Sequence, residues 1–82
     1  MRPDQEEFFT VLYREYFNQI KIYAMAHISD PHRAEEIAQD TFHTAVEKID
    51  TLMKADEPIR WLKRTAKNKI RNEQRTRQRY LK

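Results

Sequence analysis

Glycine is absent from all 82 residues of this chain, and so is cysteine. Without glycine the sequence disfavours hairpins on primed turns, Gly-rich phosphate-binding loops and Gly-terminated helices, because each relies on backbone that a Cβ obstructs. Without cysteine there is no disulfide staple and no thiolate metal site, which fits a reducing compartment. No uncharged run approaches the roughly 18 residues needed to span a bilayer, and the N-terminus has no apolar signal region. A soluble, cytoplasmic chain that does not contact a membrane is therefore expected. One further scarcity is local. From Arg60 to Lys82 there is a single acid, Glu73, among ten of the chain's sixteen Lys and Arg residues.

Residues 1 to 59 show the opposite balance, twelve acids against six bases, so the net +3 is −6 on one segment and +9 on the other. A chain split this way meets partners of different electrostatic character, and the basic segment is most simply matched by a polyanion. Hydrophobic residues make up 39% of the chain, with four Phe, four Tyr and one Trp, so one compact core can form. At this length a single core is only marginally stabilising.

Three helical segments read clearly, and no strand does. Asp4 and Glu7 have the capping-box spacing just after Pro3. Phe9, Leu12, Tyr13, Tyr16, Ile20, Tyr23, Ala24 and Ile28 then recur at the three-and-four spacing of one helix face. Ser29-Asp30-Pro31 ends that helix and starts another, since the residue before proline avoids the α region while proline suits a first helical turn. Ala34, Ile37, Ala38, Phe42, Ala45, Val46 and Ile49 form the second stripe, which Leu52 and Met53 could extend. Residues 50 to 57 read as a loop, with Asp56-Glu57-Pro58 as a third start signal. Ile59, Leu62, Ala66 and Ile70 form the third stripe. Beyond Ile70 the next apolar side chain is Tyr80, so the intervening residues form either a solvated helix extension or a disordered tail. The expected architecture is all-α, a compact bundle of three main helices with short loops. Residues 1–75 would be the domain and 76–82 a basic tail or the start of a linker.

The third helix sorts into three sectors at 100° per residue. One is apolar. A second carries Arg60, Arg64, Lys67, Arg71 and Arg75, a cationic ridge about 22 Å long at helical rise. Cations at these spacings repel one another, and a phosphate backbone would relieve the repulsion. The third sector holds Trp61, Asn68 and Asn72 with Thr65 beside them, groups suited to base stacking and base-edge hydrogen bonding. The bland readings are a solvated charged face and a tryptophan used for packing.

Specific residues carry a resemblance. Ala34-Glu35-Glu36-Ile37-Ala38-Gln39-Asp40-Thr41-Phe42 resembles the A-E-D/E-I-x-Q-E/D-x-F segment of bacterial RNA polymerase sigma factors of the extracytoplasmic-function class. Pro58, Trp61, Leu62, Ala66 and Asn68 are similar to that family's P-x-x-W-L-x-x-x-A-x-N helix, with Pro58 following Phe42 by about sixteen positions. The Tyr13-to-Ile28 stripe and its Ser-Asp-Pro turn also resemble the family's first helix and turn, so the likeness covers roughly residues 8 to 75.

The resemblance implies a promoter-specificity domain that binds RNA polymerase core through the β′ clamp helices and promoter DNA at the minus-ten element, on the non-template strand. On that basis Glu36, Gln39, Asp40 and His43 on the second helix would meet the polymerase. Carboxylates and a carboxamide there would give orientation and on-rate to a basic partner helix. Arg60, Trp61, Lys63, Arg64, Lys67, Asn68 and Arg71 would bind DNA, and Leu52, Met53 and Lys54 would line a base pocket in the loop. An anti-sigma factor is a further implied partner. Val46 stands where many relatives carry Trp, Asn72 replaces a frequent Asp, and the loop has no aromatic. The family's second, helix-turn-helix domain has no counterpart here, which leaves an excised fragment or a protein tethered to DNA through polymerase.

Two other readings are a helical protein–protein interaction module that binds a regulator, and an unrelated basic DNA-binding bundle. An enzyme is not expected. His27, His32 and His43 form no ligand cluster, no nucleophile-and-base arrangement can be drawn, and no metal or cofactor is implied.

Overall fold

The computed structural model describes residues 1–80, with side chains through residue 76. It is all-α: α1 (Pro3–Met25), α2 (Pro31–Glu47), a short α3 (Ile49–Lys54) and α4 (Pro58–Tyr80). No strand occurs among the described residues. The expected three-helix bundle is therefore what forms, with one addition in the segment read as a loop.

α1 starts earlier than the Asp4/Glu7 spacing suggested. Pro3 takes the first helical position, and the backbone N–H of Arg2 donates to Gln5 Oε1 at 2.9 Å. Asp4 instead sits within the first turn, where a carboxylate complements the helix dipole. The Gln5 amide also donates to Asp50 Oδ1 at 2.7 Å, so the N-terminus of α1 is pinned to α3. α2 begins as its sequence indicates, with Pro31 in the first turn and the Asp30 carboxylate accepting from the His32 N–H at 3.0 Å.

α3 corrects the loop reading of residues 50 to 57. Lys48 leaves helical geometry at φ −111° and ψ 29°, which ends α2, and the chain then re-enters a helix. Ile49 and Leu52, three residues apart, both bury their side chains, and that shared inward face holds the single turn in place. The residues that remain outside helix are 55 to 57.

Phe42 is the hub of the core. It is 2% exposed and meets Tyr13 and Phe9 edge-on, with ring centroids at 5.2 and 6.3 Å. Leu12, Ile20, Ala38, Ala45, Leu52, Leu62 and Ala66 complete the main cluster, drawn from all four helices. A second cluster of Ala24, Ile28, Ala34, Ile37 and Ile70 closes the end near the α1–α2 turn. Tyr13 departs from its stripe: it lies at the rim, half out of the core, stacked on Phe17 at 4.7 Å. Thr41 is buried among these groups, and its hydroxyl donates to the Ile37 carbonyl at 2.8 Å, which satisfies it inside the helix.

Candidate nucleic-acid interface and acidic ridge

Burial of Leu62, Ala66 and Ile70 fixes the rotation of α4, and so decides which side chains it turns outward. Arg60, Lys63, Arg64, Lys67, Arg71 and Arg75 are all exposed, together with Asn68 and Asn72. Trp61 and Thr65 are half-buried, with Trp61 packed against the main core cluster. The helix continues through residues 71–80, the extension rather than the disordered alternative. Residues 81 and 82 of the expected tail lie outside the described residues.

The cations of α4 fall into two groups by their partners. Lys69, on the flank toward α2, places its ammonium 2.8 Å from Asp40 Oδ2 and is only 24% exposed. Glu73, the one acid of the segment, is joined to Arg33 of α2. These pairs clip α4 to α2. On the outer face, Arg60 pairs at 2.8 Å with Glu57, the residue just before α4. Lys63, Arg64, Lys67, Arg71 and Arg75 have no carboxylate partner among the described residues. Five cations are thus aligned on one helix without a counter-charge, which favours an extended anion along it.

On α2, Glu36, Gln39, Asp40 and His43 are all exposed on one side of the helix. This ridge is partly engaged. His32 Nε2 lies 3.4 Å from Glu36, and His43 Nε2 lies 3.4 Å from Glu47. Asp40 holds Lys69, as above. Gln39 keeps its amide clear of side-chain partners among the described residues.

The base-pocket expectation needs correction at one residue. Leu52 is fully buried in the core, so it cannot line a pocket open to DNA. Met53 is half-buried and Lys54 exposed, and Thr51 joins them on the outer side of α3. The three-residue spacing of Ile49 and Leu52 matches an inward Leu52, but two positions do not establish a period.

A family model described as sigma-70 region 2 matches residues 12–80 of this fold. The chain belongs to the sigma-70 region 2 family. The match spans α1 from Leu12 through all of α4, and so includes both the acidic ridge and the cationic face. No individual curated protein and no solved structure matches the chain. Membership makes this region 2 domain a promoter-recognition component of transcription initiation, with RNA polymerase core and promoter DNA as its partners. It is a transcription-initiation domain, not a member of an enzyme family. Among its described residues no group of three or more His, Cys, Asp or Glu could hold a metal ion, and no helix is long and apolar enough to cross a membrane.

Proposed function

We propose that this is a region 2 domain of the extracytoplasmic-function class that divides its partners between two helices. α2 docks on the β′ clamp helices through Glu36, Gln39, Asp40 and His43. α4 holds the minus-ten element, with Lys63, Arg64, Lys67 and Arg71 on phosphates, Arg60 exchanging Glu57 for DNA, and Asn68 and Trp61 near the duplex–single-strand junction. Met53, Lys54 and Thr51 receive a non-template base at the outer side of α3. Residues 1–75 are the working unit and 76–82 its basic extension. An anti-sigma factor would compete for the same faces.

The observation that carries this reading is the line of exposed, unpaired cations from Lys63 to Arg75, opposite in sign to the acidic ridge of α2. Opening DNA costs about 1.4 kcal/mol per stacked step. Met53, Lys54 and Thr51 offer no aromatic surface, so base capture there returns less than the about 1–3 kcal/mol of aromatic stacking; one domain alone binds an opened promoter weakly, and polymerase tethering supplies the rest. Binding to a forked minus-ten DNA across a salt series is the direct test. Five phosphate contacts give a log–log slope of about −3.5 to −4.5, depending on strand character. A slope near zero would remove DNA as the ligand. Pull-down of the isolated β′ clamp fragment then tests α2 separately.

A further inference from the structure

A cleft of about 180 Å³ opens between the end of α1 and the middle of α4, lined by Tyr23, His27, Lys67, Ile70, Arg71 and Gln74. It lies away from α3 and the proposed base pocket. Ile70, 4% exposed, forms its apolar floor. Tyr23 and His27 form one wall, their rings edge-to-face with centroids 5.0 Å apart. Lys67 and Arg71, one helical turn apart, supply two cations that no carboxylate among the described residues neutralises. The Gln74 amide donates to the His27 carbonyl at 3.3 Å and ties the α1 turn to α4 at the cleft's end.

We infer that this cleft seats one nucleotide of the DNA strand that α4 holds, with the phosphate between Lys67 and Arg71 and the sugar–base unit against Tyr23 and His27. The inference rests on the DNA-binding reading of α4 and adds α1 to the strand's path. Size argues for part of a polymer: pockets for drug-sized ligands run to roughly 300–1,000 Å³, so this smaller cleft suits a single unit and not a whole cofactor. Chemistry argues for a nucleotide, because two cations beside an aromatic wall match an anionic group joined to a flat, partly apolar one. The carbonyl end of α1 opposes an anion, with a partial charge of about −0.5. Two full positive charges outweigh it, and the cleft remains attractive to phosphate.

The test uses the full chain and a labelled forked minus-ten DNA. His27→Glu and Gln74→Glu each put a carboxylate beside the phosphate seat at an exposed position, and each should weaken DNA binding about tenfold. Pull-down of the β′ clamp fragment by either variant should match wild type. Tyr23→Leu, which keeps an apolar side chain but removes the aromatic face, should weaken DNA binding about fivefold or more. Wild-type DNA affinity in both acidic variants would overturn the cleft, while the salt slope of the unaltered chain judges α4 independently. Adenosine monophosphate, followed by NMR at Tyr23 and His27, should show no saturation at micromolar concentration. Saturation there would replace the strand with a free nucleotide and overturn the assignment.

Discussion

α2 and α4 both turn a charged face to solvent, but they leave it in different electrostatic states. On α2 the acids are engaged: Glu36 faces His32, Glu47 faces His43, and Asp40 grips Lys69. On the outer face of α4 only Arg60 has a carboxylate, and the cations from Lys63 to Arg75 stand alone among the described residues. A ridge whose central aspartate already holds a lysine suits a contact of modest strength whose role is orientation. An unneutralised ridge is poised for a polyanion and makes binding strongly salt-dependent. The two pairs that join these helices, Asp40–Lys69 and Arg33–Glu73, also mean that not every charge on them is available to a partner.

The comparison breaks most completely if its shared support is removed. Phe42 joins α1 to α2 at the centre of the core, and Phe42→Ala should cost about 3–5 kcal/mol. Total stability for a domain this size is about 4–12 kcal/mol, so thermal denaturation should show a large fall or outright unfolding, with both faces lost together. Next is Arg64→Glu with Lys67→Glu. Reversing two unpaired exposed cations should lower affinity for forked DNA by about 100-fold at low salt, while polymerase pull-down is retained. Equal loss of both activities would contradict the division between helices.

The reverse experiment needs care in its choice of residues. Asp40→Lys would set a second ammonium against Lys69 and disturb α4 as well, so it cannot isolate the α2 face. Glu36→Lys with Gln39→Lys avoids that contact and should weaken binding to the clamp fragment about tenfold, with DNA binding retained. The smallest effect belongs to the clip itself. Asp40→Asn should shift stability by less than about 1 kcal/mol, since the aspartate is largely solvated. A double-mutant cycle with Lys69→Met measures the pair. A coupling well above that value would make the α2–α4 link a structural element in its own right.

Much of this is legible in the residue order. Apolar positions at helical spacing located α1, α2 and α4, and Pro31 and Pro58 marked two of their starts within a residue, because proline's fixed φ suits a first turn. The exposure of the cationic sector followed from the same periodicity, since Leu62, Ala66 and Ile70 must face the core. What escaped was one short helical turn and one long-range tie. The two inward residues of α3 are too few to make a periodic signal, so Leu52 read equally well as pocket lining. The N-terminal cap used Gln5, reaching Asp50 forty-five residues away, and no local pattern encodes that.

Residue order alone therefore determined the three long helices, the inward side of each and the segregation of charge, because each depends on neighbours within one or two turns. Which cations keep a carboxylate and which stand unpaired was decided only by tertiary packing. Lys69 and Lys67 are two residues apart and chemically identical, yet docking of α4 on α2 sets one against Asp40 and turns the other toward the cleft beside Tyr23 and His27. Local spacing fixes the angle of a side chain about its own helix, but only the approach of a second helix fixes what lies opposite.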